Sequence, residues 1–144
     1  MTLRDNECRR LILAAESARK NAYAPYSHFQ VGAALLCEDG SVFTGANVEN
    51  SSYPAGLCAE RSALAAAVSS GQRRFIAVAV TGCEENACKR SVPCYPCGIC
   101  RQALSEFTGG ELLVISALSE DDYRVDRIDE LLPLAFSLSV NEES

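Results

Sequence analysis

Residues 57–81 read LCAERSALAAAVSSGQRRFIAVAVT. The first half, about 57–69, is rich in Ala and Leu and stops before Gly71, which predicts a buried helix with glycine as its C-terminal cap. The second, residues 75–81, is a short and nearly continuous apolar run, suited to a central strand. Working outward, residues 31–37 and 41–46 flank Asp39-Gly40 and predict a β-hairpin. The segment 21–30, with Pro25 and several aromatics, leads into that hairpin, and a polar loop from 47 to 54 leaves it. Upstream, Asp5 or Asn6 is placed to cap a helix running to about Lys20, with Cys8, Leu11, Ile12, Ala15 and Ala18 at helical spacing. Downstream, an irregular stretch 82–95 ends at Pro96, which opens a third helix to about Phe107, ended by Gly109-Gly110. Residues 112–117 predict a strand, 123–126 a weaker one, and 127–132 a short helix stopped by Pro133. The order is α-β-β-α-β-α-β-β-α. Strands separated by helices of this length favour an α/β fold in which one mixed sheet of about five strands is covered by helices on both faces, a three-layer α-β-α sandwich. No repeat or low-complexity segment divides residues 1–144, so a single domain is expected, with a frayed acidic tail at 141–144.

Composition narrows the function. A chain of 144 residues with 48% hydrophobic and 22% charged residues is sized for one core. Thirteen basic against nineteen acidic residues give a net charge of −6, which repels a polyanion, so a small ligand is expected rather than nucleic acid. No window of 18 residues is continuously apolar, and Arg4, Asp5, Glu7, Arg9 and Arg10 mix both signs near the start; neither a membrane span nor a secretory signal is expected, and the predicted location is cytoplasmic. Eight cysteines then read as reduced thiols or metal ligands.

Two pieces carry the chemistry: Cys58-Ala59-Glu60 at the start of the second helix, and Pro96-Cys97-Gly98-Ile99-Cys100 at the start of the third. Cysteines three apart on a first helical turn lie on one face within reach of one ion, and Cys58 would add a third thiolate from the other helix. Both helix N-termini, and Arg61, would offset the negative charge of three thiolates on a zinc ion. A fourth position left open to water suits a catalytic site, and Glu60 is placed to take that water's proton. A structural zinc clip or merely buried thiols fit the cysteines as well; the acid beside Cys58 favours catalysis. Cys94 makes a run of three cysteines at spacing three and competes with Cys100 as partner of Cys97, although a proline at the first helical position would leave Cys94 outside the helix. Cys8, Cys37, Cys83 and Cys88 have no paired acid or metal spacing and read as buried or incidental. His28, the only histidine, reads as a partly exposed loop side chain and not a ligand.

Cys/His-x-Glu followed by Pro-Cys-x-x-Cys is the pattern of zinc nucleobase deaminases. Together with Pro25-Tyr26-Ser27-His28-Phe29, Val31-Gly32-Ala33-Ala34, Asn47-Val48-Glu49-Asn50, Arg101-Gln102 and Leu131-Leu132-Pro133, these motifs make the chain resemble, over nearly its whole length, the small homotetrameric cytidine deaminases that act on free nucleosides. The resemblance implies one Zn2+ per chain held by Cys58, Cys97 and Cys100, with Glu60 as proton shuttle and Arg61 as a partner of the thiolates. It implies sugar contacts from Asn47 and Glu49, base packing by Phe29, further contacts from Tyr53 and Ala59, and a Phe136 that reaches a neighbouring subunit's site. The implied reaction is hydrolytic deamination of cytidine and deoxycytidine to uridine and deoxyuridine, with ammonia released, in pyrimidine salvage. A carboxylate at Glu49 would accept two hydrogen bonds from ribose hydroxyls and repel a nearby phosphate, favouring nucleosides over nucleotides. The apolar stretch 131–140, long for a surface tail, is the sequence's own hint of a homotetramer. The chain departs from the family at Cys94-Tyr95-Pro96, where a small polar residue, commonly serine, precedes the proline. Two alternatives follow: a deaminase of another aminopyrimidine nucleoside such as blasticidin S, which shares the thiolate motifs, and a non-catalytic zinc module serving a protein or RNA partner. The module would need no acid at Glu60, and RNA binding calls for a basic stripe that is missing here.

Overall fold

Two hydrophobic faces on one sheet account for the architecture. The structure, a computed structural model, describes residues 2–86, 90–107 and 110–138. Along these the elements are α1 (Asp5–Arg19), β1 (Phe29–Cys37), β2 (Val42–Ala46), a 3-10 turn (Tyr53–Ala55), α2 (Ala59–Ser69), β3 (Phe75–Glu84), α3 (Gly98–Ser105), β4 (Leu113–Ser119), β5 (Asp122–Arg127) and α4 (Ile128–Leu131), in the predicted order. The strands lie in the order β2-β1-β3-β4-β5. All neighbours are antiparallel except β3 and β4, which run parallel with α3 in the crossover between them, so the sheet is mixed.

Period-two alternation sorts the strand residues between two cores. Ala33, Leu35, Val78, Val80 and Val114 face α2, α3 and α4 through Ala63, Ala67, Leu104 and Ile128. Ala34, Leu36, Ala77, Ala79 and Ile115 face α1 through Cys8, Leu11, Ile12 and Ala15. Helices on both faces of one five-stranded sheet make the three-layer sandwich. At Gly32 the α1 layer comes so close that a Cβ would stand 1.9 Å from the Ala15 carbonyl oxygen.

The ends of several elements differ from the expectation for physical reasons. Neither Asp5 nor Asn6 caps α1; Arg4 occupies the N-cap position, and the Asp5 carboxylate instead accepts the Tyr123 hydroxyl at 2.7 Å. Strand β1 starts at Phe29 rather than residue 31 because β3 runs on to Glu84, which pairs with Phe29. Pro96 precedes α3 instead of opening it, since Cys97 is extended (φ −69°, ψ 168°) and takes the N-cap position. Gly71 does close α2 as expected: its φ is +98°, its N–H donates to Val68 O, and that of Gln72 donates to Ala67 O. Gly110 has a φ of +93°, whereas Gly109, Cys88 and the tail from 139 onward lie outside the described residues. The cysteines were expected as reduced thiols or metal ligands; Cys8 and Cys37 are buried and free, but Cys83 is buried and disulfide-bonded.

Gly32→Ala is expected to push α1 off the sheet and cost about 2 kcal/mol, a fall of roughly 6 °C in Tm. Gly98→Ala, where an added Cβ meets nothing within 4 Å, should leave Tm near the parent value. Thermal unfolding followed by circular dichroism checks both, and equal melting of all three proteins would contradict the close approach.

Candidate active site

Cys58 and Cys97 occupy equivalent places, each the extended N-cap residue of its helix, α2 and α3. Cys100 lies on the first turn of α3. Cys58 Sγ and Cys97 Sγ are 3.7 Å apart, and Cys97 Sγ and Cys100 Sγ 3.5 Å. All three sulfurs lie within 4.8 Å of one another, the one such group among the described residues. A tetrahedral zinc ion with Zn–S bonds of about 2.3 Å separates its sulfurs by about 3.8 Å, so this donor set fits zinc. Cys94 stands outside the trio: its sulfur packs where a Cβ at Gly82 would fall, 2.7 Å away.

Cys58 and Cys100 hold one proton between them. Cys58 is pulled down to about 5, first by a hydrogen bond from the Cys100 thiol and further by Arg61, against the opposing effect of burial. Cys100 is pushed up by the same hydrogen bond and by burial. Arg61 Nη2 lies 3.8 Å from Cys58 Sγ, and its buried Nε has no hydrogen-bond partner among the described residues. Glu60, next on α2, is only 4% exposed. Burial raises its pKa, and the Cys58 thiolate raises it further.

Glu60, Cys58 and Cys97 open onto a cavity of about 420 Å³ that is also lined by Ala59, Arg61, Asn47, Glu49 and Tyr53. Asn47 and Glu49 in its wall are already anchored. Asn47 Oδ1 accepts the Val31 N–H and Asn47 Nδ2 donates to the Phe29 carbonyl, each at 2.9 Å. Glu49 Oε1 accepts the N–H groups of Tyr26 and Ser27 at 3.0 and 3.1 Å, while Oε2 accepts the Ser27 hydroxyl at 2.6 Å. These bonds, the Ser27 hydroxyl first, hold its carboxyl below the usual range. Of about four acceptor positions on a carboxylate, one remains, so the two free positions expected for ribose are reduced to one.

Most of the residues singled out from the sequence thus converge, but two aromatics do not line this cavity. The Phe29 ring lies under the Arg90 guanidinium, 4.9 Å from its centroid, with its tip against Gly82. Phe136 is 69% exposed outside α3, where its carbonyl accepts a hydrogen bond from Gln102. Tyr53 is in place but 78% exposed. His28 is an exposed loop residue with φ 59°, its Nδ1 3.3 Å from Glu85 Oε2. Leu57 and Ile99 line the cavity without having been singled out, as do Cys94 and Tyr95, noted only as a departure. Ser27 was missed because its partner Glu49 is 22 residues away, a separation no local pattern reveals.

The model of the cytidine and deoxycytidylate deaminase zinc-binding region matches residues 5–116. The chain belongs to this family. A cytidine deaminase of Halalkalibacterium halodurans is 48% identical over 127 residues, covering 88% of this chain and 92% of that protein. One from Sporosarcina psychrophila is 45% identical over 128 residues, 89% of this chain and 90% of the relative. Among solved structures, the cytidine deaminase of Burkholderia pseudomallei superposes with a TM-score of 0.80 at 47% identity, over 88% of this chain and 97% of that one. The zinc-binding deaminase family therefore accounts for the sheet, both helix N-termini and the three sulfurs.

In metal-stripped protein, alkylation of Cys58 by iodoacetamide should rise through a midpoint near pH 5, well below the ~8.5 of a free thiol. Arg61→Ala moves that midpoint up. Cys94, pushed up to about 11 by burial and then by Glu60, should be modified well after Cys58. Mass-spectrometric mapping reads the order, and a Cys58 midpoint at the free-thiol value would contradict the shared proton.

Proposed function

We propose that this chain catalyses zinc-dependent hydrolytic deamination of cytidine and deoxycytidine, converting each with water to uridine or deoxyuridine and ammonia. The observation that carries this reading is a buried carboxyl, Glu60, in one cavity with Cys58 and Cys97, whose sulfurs group with that of Cys100. The relatives named cytidine deaminases, matched over most of their length, support it. Cys58, Cys97 and Cys100 hold one zinc ion per chain in this account. When bound, zinc supplies the Lewis acidity that activates water for addition to the amino-bearing carbon.

The chain's own groups do the rest. Glu60 takes a proton from the water and delivers it to N3 of the pyrimidine, which makes C4 electrophilic; it then carries a second proton to the amino group, which leaves as ammonia. Its low exposure keeps bulk water from short-circuiting that transfer. Arg61 and the positive ends of α2 and α3 balance the thiolates, so the charge on the metal site stays modest. At the other end of the cavity, Asn47 and Glu49 present a donor and an acceptor to the sugar, and an ionised Glu49 disfavours a phosphate there. Phe29 backs the base through the Cys94 wall, and Tyr53 and Ala59 complete the contacts.

We further propose a homotetramer with sites shared between subunits, working in the cytoplasm in pyrimidine salvage. Leu134, Phe136 and Leu138, 103%, 69% and 69% exposed in the single chain, supply the apolar surface for such an assembly, with Phe136 reaching a neighbour's cavity.

Loss of cytidine absorbance with the zinc-loaded protein tests the reaction. Glu60→Gln should keep its zinc and lose about 10³-fold or more in turnover, since an amide neither accepts nor delivers the proton. Parent-like turnover in that variant would remove Glu60 as the shuttle. For the assembly, size-exclusion chromatography should show four chains; a monomer with full activity would end the shared-site proposal.

A further inference from the structure

The Ser27 hydroxyl is engaged as both donor and acceptor. Its Oγ donates to Glu49 Oε2 at 2.6 Å and accepts the Phe29 N–H at 3.0 Å. The other polar group of the same residue is held too, because the Phe29 carbonyl accepts Asn47 Nδ2 at 2.9 Å. An unbroken hydrogen-bonded path therefore runs from Asn47 through the backbone of residue 29 and the Ser27 hydroxyl to Glu49. Both ends of that path line the cavity onto which Glu60, Cys58 and Cys97 open. Ser27 itself lines an adjoining cavity of about 410 Å³, which shares Glu49 and Tyr53 with the first.

Counting positions shows what this path does. Glu49 Oε1 has both acceptor positions filled by backbone N–H groups, and Oε2 has one filled by Ser27. Asn47 has one amide hydrogen and one carbonyl lone pair committed to the backbone of β1. What remains for a ligand is one carboxylate acceptor, on the oxygen that Ser27 orients, with one amide hydrogen and one carbonyl lone pair of Asn47.

We infer that Ser27 is a positioning residue for nucleoside binding: its hydroxyl aims the last free acceptor of Glu49 and locks it in register with Asn47 through Phe29. The inference rests on the nucleoside deaminase reading above. Ser27 touches neither Glu60 nor the sulfurs, so it governs substrate affinity rather than the chemical step. The charged surroundings of Glu49 are few. The His28 imidazole is the basic group nearest in effect, its Nδ1 3.3 Å from Glu85 Oε2; the Tyr26 hydroxyl is engaged with Ser51, and Arg61 lies on the wall of the shared cavity.

The test compares Ser27→Ala, Ser27→Thr, Glu49→Gln and the Ser27→Ala/Glu49→Gln double variant as zinc-loaded full-length proteins with cytidine. Ser27→Ala should raise KM about tenfold, leave kcat within about twofold and keep the parent's zinc content. Ser27→Thr, which retains the hydroxyl, should restore the parent KM. In the Glu49→Gln background the alanine substitution should add less than about twofold, because its partner is already lost. The pH profile has a definite sign. Removing the hydroxyl that chiefly holds Glu49 down raises its pKa, so the acidic limb of kcat/KM moves to higher pH in Ser27→Ala and stays in place in Ser27→Thr.

An unchanged KM in Ser27→Ala, an equal fall in kcat, or the same KM increase in both backgrounds would overturn the positioning role. Calorimetric titration with cytidine separates the two readings. If the parent binds cytidine without turning it over, the deaminase reading fails, while a tenfold weaker binding by Ser27→Ala still supports the positioning role and equal binding still overturns it. If the parent neither binds nor turns over cytidine, both fall.

Discussion

Three sulfurs meeting at the N-termini of two helices are the constraint on which the rest of this structure depends. Helix α2 reaches that point because Ala63 and Ala67 press against Ala33 and Leu35 of β1, and α3 because Leu104 joins the same core. Small residues at the contact let a helix sit close on a sheet, and that closeness puts Cys58 and Cys97 within 3.7 Å across two elements that are 39 residues apart. Arg61 and the two helix ends face the Cys58 thiolate. The fold thus prepares a site of three donors that a cation completes.

The cavity beside the sulfurs holds two carboxyl groups driven in opposite directions. Glu60 is raised by burial beside a thiolate, which suits a group that must accept and give back a proton. Glu49 is lowered by three hydrogen bonds, which suits one that stays ionised and only accepts. The same residue type performs two tasks because one sits on the first turn of a buried helix and the other at the exposed end of a loop. In the proposed reaction, substrate binding and proton transfer are thereby separated along a single pocket.

Much of this was legible in the chain itself. The apolar run of β3 and the alanine-rich face of α2 announced a layered α/β fold, because burial on both sides of a sheet leaves a compositional trace. The Cys58, Glu60, Cys97 and Cys100 spacings announced the site, because helical geometry converts short separations into shared faces. Boundaries were less legible. Asp5 looks like a cap and serves as a partner of Tyr123, and Pro96 looks like a helix start and lies before one, since tertiary partners outside the local window decide both. The hydrogen bonds of Ser27, Glu49 and Asn47 were invisible for the same reason: they join a loop, a strand start and a second loop that only the sheet brings together. Phe136 carries no role within one chain, as its ring is exposed on the far side of α3 from the sulfurs it was expected to serve in a neighbour.

The measurement that bears most directly on the central claim is zinc-edge X-ray absorption on the zinc-loaded protein. The account predicts three sulfur neighbours at about 2.3 Å and one lighter oxygen neighbour, the signature of a site with one position open to water. Four sulfur neighbours, with Cys94 drawn in as the fourth ligand, would describe a closed structural centre and contradict it.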